Sequence, residues 1–104
     1  MRVQTLFQEG KRFTVWPLRV TYRSEQSEGV TQVLVWAPKA LFRHAVDRNR
    51  LRRQMREAYR NHKSPIEDLG FHVAFNYMDK QMQPYGTIDR AMQRAVVKLL
   101  QTRE

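Results

Sequence analysis

Residues 45–60 read AVDRNRLRRQMREAYR, and the spacing of the apolar positions in that run decides how the rest of the chain must be arranged. On a wheel of 100° per residue, Leu51, Met55, Ala58 and Tyr59 fall in one arc, which predicts a helix packed on a sheet through that arc. Asn49, Arg52, Arg53, Arg56 and Arg60 fall in a second arc beside it, with Glu57 at the border and four residues from Arg53, the spacing of an ion pair. Residues 43–60 hold seven arginines against two acids, so more than half of the net +9 of the 104-residue chain lies in this one stripe. The bland reading is a solvated helix face. Like charges three and four positions apart repel by roughly a few tenths of a kcal/mol per pair, however, and such repulsion left uncompensated implies a counter-surface. All seven cations are arginine, whose planar fork pairs with phosphate oxygens and stacks on bases.

The whole composition agrees. Apolar residues at 41% and charged residues at 28% describe one folded domain spanning residues 1–104, and the balance of charge attracts a polyanion. Absence of cysteine excludes a disulfide framework and a thiolate metal site. No segment approaches the roughly 20 apolar residues of a membrane span, and MRVQTLFQEGKRF lacks a signal-peptide core, so a soluble, cytoplasmic protein is expected. An anionic membrane is the weaker partner, because the narrow apolar arc is needed for the core. A DNA-reading helix-turn-helix calls for a short helix at a tight turn before the recognition helix, and here a strand precedes it.

Working outward, VTQVLVWA (30–37) is β-branched and continuous, predicting a central strand closed by Pro38. The basic helix then starts between Phe42 and Asp47 and runs to about Asn61, with Asp47 favoured by the dipole at its start and Pro65 forbidding continuation. In WPLRVTYR (16–23), Leu18, Val20 and Tyr22 alternate with Arg19, Thr21 and Arg23, a half-buried strand; SEQSEG (24–29) is a polar turn. FHVAFNYM (71–78) puts Phe71, Val73, Phe75 and Tyr77 on one face of another strand. Thr87 is placed to cap a last helix in which Ile88, Met92, Ala95, Val96, Leu99 and Leu100 share a face. RVQTLFQE (2–9) reads as the end of an amphipathic helix through Val3, Leu6 and Phe7, stopped by Gly10. The order helix, strands, helix, strand, helix gives an α+β sandwich with helices on a small sheet.

The central run resembles the signature of the bacterial ribonuclease P protein component, A-V-x-R-N-R-hydrophobic-K/R-R-x-x-R-E followed by an aromatic and Arg. The match takes in Ala45, Val46, Arg48, Asn49, Arg50, Leu51, Arg52, Arg53, Arg56, Glu57, Tyr59 and Arg60. LFQEGKRF, VLVWAPK and FHVAFNYM are similar to the family's segments on either side, and the resemblance covers most of the chain. It implies a four-stranded sheet with three helices and a left-handed βαβ crossover, similar to the second domain of a small-subunit ribosomal protein. It also implies a protein subunit that binds the catalytic RNA and the 5′ leader of precursor tRNA, aiding removal of that leader. Hydrolysis is then carried out by Mg2+ held on RNA, with no protein-bound cofactor or metal, no catalytic residue in the chain, and neither DNA nor membrane as a partner.

Carried over position by position, the resemblance makes Arg48, Asn49, Arg50, Arg52, Arg53 and Arg56 the RNA-docking set, with Lys39 and Arg60 as additions. Phe7 matches the aromatic that lines the leader cleft, while Val3 stands where the family often has a second. Arg19 and Thr21 are the cleft-facing residues of their strand, because Leu18, Val20 and Tyr22 alternate with them. KALFRH (39–44) departs from the family's approach to the motif and is one residue longer, and the family's basic stretch at the start of the first helix is missing. The rival readings are a general RNA-binding or ribosomal module, a protein-only nuclease and a DNA-binding regulator. Other chemistry is thin: His44, His62 and His72 have no ligand spacing, and Glu67-Asp68 fits a polar turn better than a metal pair. Phe75 and Trp36 are expected in the core, and Trp16 stands between packing and base stacking.

Overall fold

The computed structural model describes residues 3–24 and 29–102, apart from the side chain of Val3, so most of the 24–29 turn and the Val3 position in the cleft lie outside the described residues. The elements are α1 (Val3–Glu9), β1 (Lys11–Val15), β2 (Leu18–Ser24), β3 (Gln32–Trp36), α2 (Ala45–His62), β4 (Phe71–Tyr77) and α3 (Tyr85–Gln101). One four-stranded sheet runs β1-β2-β4-β3, antiparallel except for the β3–β4 pair, which is parallel and joined across α2.

Alternation divides the sheet into two faces. On one, Leu18 and Val20 of β2, Val35 of β3 and Phe71, Val73, Phe75 and Tyr77 of β4 are buried against Leu51, Met55 and Ala58 of α2 and the apolar row of α3. Burial holds the Tyr59 ring 5.9 Å from Phe75 and, with a smaller contribution from Glu67, pushes its hydroxyl up to about 12. Tyr77 is raised chiefly by burial, and its hydroxyl donates to the Gln81 carbonyl (2.5 Å) while accepting from the Gln83 amide (2.8 Å). Thr31, just before β3, bridges the loop behind α2. Its hydroxyl donates to the Ile66 carbonyl (2.5 Å) and accepts from the Phe71 amide (3.2 Å), which satisfies a buried polar side chain. Gly70 opens β4 at φ 70, a left-handed conformation that a side chain would strain.

The other face carries α1. Leu6 of α1 is buried, as are Thr21 of β2 and Ala74 of β4, which sit opposite each other in register, and α1 packs on β2. The approach is close: a Cβ on Gly10 would lie 2.4 Å from the Leu6 carbonyl oxygen, 3.0 Å from that of Tyr22 and 3.1 Å from Thr21 Cγ2. Gly10→Ala is therefore expected to lift the end of α1 and cost about 1–3 kcal/mol, the usual scale for overpacking. The urea midpoint should fall, with α1 amides exchanging faster before those of β4. An unchanged midpoint would mean that the helix end moves freely.

Three sequence expectations change. β1 is a strand of its own, pairing residue for residue with β2, where the sequence suggested only an exit from the first helix. β3 is an edge strand rather than a central one, so its continuous apolar run is not buried on both faces, and Trp36 is 51% exposed instead of in the core. The last helix begins at Tyr85 after Pro84 with no side-chain cap, placing Thr87 inside the first turn, where its amide donates to the Pro84 carbonyl (3.0 Å).

Candidate nucleic-acid interface

Leu51, Met55 and Ala58 are fully buried on the sheet side of α2, and the opposite side presents arginine. Asn49, Arg50, Arg53, Arg56 and Arg60 are exposed, and Arg52 is half-buried. A depression of about 370 Å³ opens among Val46, Asn49, Arg50 and Arg53. Among the described residues, no acid pairs with Arg43, Arg50, Arg53 or Arg56. Arg52 donates to Asn49 Oδ1, which fixes the guanidinium without neutralising it. Glu57 pairs with Arg60, not with Arg53 as the four-residue spacing suggested; three residues is an equally short reach on a helix, and Arg53 stays free.

Arg48 differs from its neighbours. Its Nη1 donates to the carbonyls of Phe42 (2.8 Å) and Arg43 (3.0 Å), tying down the loop that enters α2. Lys39 is exposed in that loop, whose turn is closed by Leu41 and Phe42 amides on the Pro38 carbonyl (both 3.1 Å). At its far end α2 is tied to α3: His62 Nε2 lies 2.9 Å from Asp89 Oδ1, and Asn61 donates to the Tyr85 hydroxyl (3.1 Å).

The α1 side of the sheet forms a second region. Register sets Thr14 of β1, Arg19 of β2, Asn76 of β4 and Trp36 of β3 in one row across the sheet, with cross-strand neighbours about 5 Å apart at Cβ. Thr14, Arg19 and Trp36 are exposed, and the buried Oδ1 of Asn76 has no hydrogen-bond partner among the described residues. The row beside it is roofed by α1, so Thr21 faces the expected side but packs against Gly10 and is only 2% exposed. Phe7 is half-buried on α1, whose end is fastened by Arg12 donating to the Phe7 carbonyl (2.8 Å) and by the Arg23–Glu9 pair (3.1 Å). Trp36 and Asn76 were not selected from the sequence as members of this row. The signal was available: once Phe71, Val73, Phe75 and Tyr77 face the core, Asn76 must face away. Trp16 is exposed at the β1–β2 turn.

Among the described residues no three His, Asp or Glu side chains gather to hold a metal, and no helix is long and apolar enough to cross a membrane. The family model for ribonuclease P matches residues 2–100. Two curated relatives, the ribonuclease P protein components of two Porphyromonas gingivalis strains, are each 38% identical over 93% of this chain and 77% of their own length. Among solved structures, the ribonuclease P protein of Thermotoga maritima superposes with a TM-score of 0.79 at 20% identity, covering 94% of both chains. That of Staphylococcus aureus gives 0.75 at 22% identity, over 92% of this chain and 85% of the other. A match across nearly the full sequence, together with a shared fold and an open arginine ridge, establishes that the chain belongs to the ribonuclease P protein family, protein subunits of a tRNA-processing endoribonuclease.

Proposed function

We propose that the α2 ridge docks this chain on the catalytic RNA of ribonuclease P and that the sheet face beside α1 receives the single-stranded 5′ leader of precursor tRNA. The single observation carrying the first half is that, among the described residues, Arg50, Arg53 and Arg56 stand outward without acidic partners on a helix whose other side is fully buried. Their attachment points are fixed on a rigid helix before binding, so only side-chain ordering is left to oppose association with phosphate. Arg52 and Asn49 extend that surface, while Lys39 and Arg60 flank it. Arg48 serves it indirectly, by shaping the loop at its start.

For the leader, Trp36 offers a ring on which a base stacks and Arg19 a cation for the backbone, with half-buried Asn76 between them in the row. Base–aromatic stacking is worth about 1–3 kcal/mol, enough to distinguish a precursor that has a leader from a product that lacks one. Phe7 adds an aromatic wall at the edge of α1. The chain supplies binding and orientation in the cytoplasm, while the hydrolytic Mg2+ resides on the RNA.

Reconstitution tests the reading. With the catalytic RNA from the same source at low magnesium, the protein should restore precursor-tRNA cleavage, and alone it should cleave nothing. Failure to restore processing would favour a general RNA-binding module; cleavage without RNA would favour a protein-only nuclease. Phe7→Ala should weaken precursor binding by the RNA–protein complex by about 1 kcal/mol or more, the lower end of the stacking range, and leave mature tRNA binding unchanged. Equal losses for both would remove Phe7 from the leader site.

A further inference from the structure

The side of the molecule away from α2 carries a groove that RNA docking does not use. Among the described residues β1 pairs with β2 alone, so there the outer edge of Lys11–Val15 has no strand partner and offers backbone donors and acceptors. Between that edge and α3 runs a groove of about 420 Å³ lined by Thr14, Val15, Gln93, Arg94, Val97 and Lys98. It continues past Lys98, whose Nζ stands 5.2 Å over the Phe13 ring. Val97 is 48% exposed in a basic setting, because Arg90, Arg94 and Lys98 follow one another at four-residue steps along the outside of α3. Asp89, the one acid in α3, is held by His62 at 2.9 Å.

We propose that this edge and groove bind an extended acidic segment of a partner protein by strand addition. Its backbone would extend the sheet beyond β1, with carboxylates on Arg94 and Lys98 and an apolar side chain against Val97 and Val15. Charge selects the occupant. A second copy of the chain paired edge to edge would crowd Lys11, Arg12, Arg94 and Lys98 of both copies along one seam, where like charges repel. An RNA backbone would satisfy the cations but leave the exposed Val97, the apolar floor and the open edge without a role. An acidic strand uses all of them. The sheet order sets β1 and β3 at opposite edges, with α3 packed toward β1 and α2 toward β3, so the segment and the α2 ridge can be engaged together. The inference does not rest on the RNA reading of α2.

The probe is a fluorescein-labelled Glu-Thr-Val-Thr-Glu-Thr peptide, which presents Glu, Val and Glu on one face of an extended strand. A Lys-Thr-Val-Thr-Lys-Thr peptide and hexauridylate are the comparisons, and all are titrated into the full-length protein. The acidic peptide should bind saturably and shift the backbone amides of residues 11–15. Arg94→Glu combined with Lys98→Glu should weaken it by about tenfold or more, as expected for paired interface charges. Val97→Lys, an independent exposed substitution, should weaken it as well, with β4 amides unmoved as the sign of an intact fold. Arg52, Arg53 and Arg56 replaced by alanine should leave peptide binding unchanged. No binding of the acidic peptide, equal binding of the basic one, or loss in the α2 variant would overturn the proposal. So would hexauridylate shifting the same amides with the same dependence on Arg94 and Lys98, which would make the groove an RNA contact.

Discussion

Replacing Arg52, Arg53 and Arg56 together by alanine is expected to lower affinity for ribonuclease P RNA most at low salt and progressively less as salt rises. Among the described residues Arg53 and Arg56 are exposed without acidic partners and Arg52 is tied only to a neutral amide, so each has its charge available for a phosphate. Every phosphate neutralised releases condensed counterions, and that release makes binding depend on salt. Each lost contact removes roughly 0.7–0.9 from the slope of log K against log salt, so three remove roughly 2 to 3 and the penalty shrinks about thirtyfold between 50 and 200 mM. The substitutions should not harm the fold, because alanine is the better helix former and the buried arc of α2 is untouched. An affinity loss with the same slope as the parent would mean that these side chains contact something other than phosphate.

The ridge was legible because helical periodicity is local: a run of 16 residues contains both the arc that is buried and the arc that is not. What sequence could not supply was lateral position. The run VTQVLVW is apolar enough for an interior strand, yet the chain passes through α2 and returns with β4 between β3 and β2. That leaves β3 at the edge and brings Trp36 into the open. The short KRFTV stretch has too few apolar positions to declare itself a strand, and β2 supplies the pairing that makes it one. Arg19 and Thr21 share a face as alternation requires. The roof over Thr21 depends on how closely Gly10 lets α1 approach, a distance that no pattern within β2 encodes. Charge was legible as a sum but not as pairings: Glu57 had Arg53 and Arg60 within equal reach, and the helix face alone does not choose between them.

Leu51→Ala should separate the ridge's charge from its support. Leu51 is fully buried behind the arginines, and truncating such a side chain costs about 2–5 kcal/mol through lost transfer energy and the cavity left behind. That is a large part of the roughly 5–15 kcal/mol available to a domain, so the urea midpoint should fall steeply. Every cation is retained, so RNA should recover the fold by binding it, and the log–log salt slope measured on the refolded complex should equal that of the parent. Apparent affinity falls all the same, because part of the binding energy is diverted to folding α2 against the sheet. The arginine triple variant should show the converse: parental stability with a flattened slope. If Leu51→Ala flattened the slope too, losing the buried anchor would have displaced phosphate contacts from α2, and charge and support would not be separable.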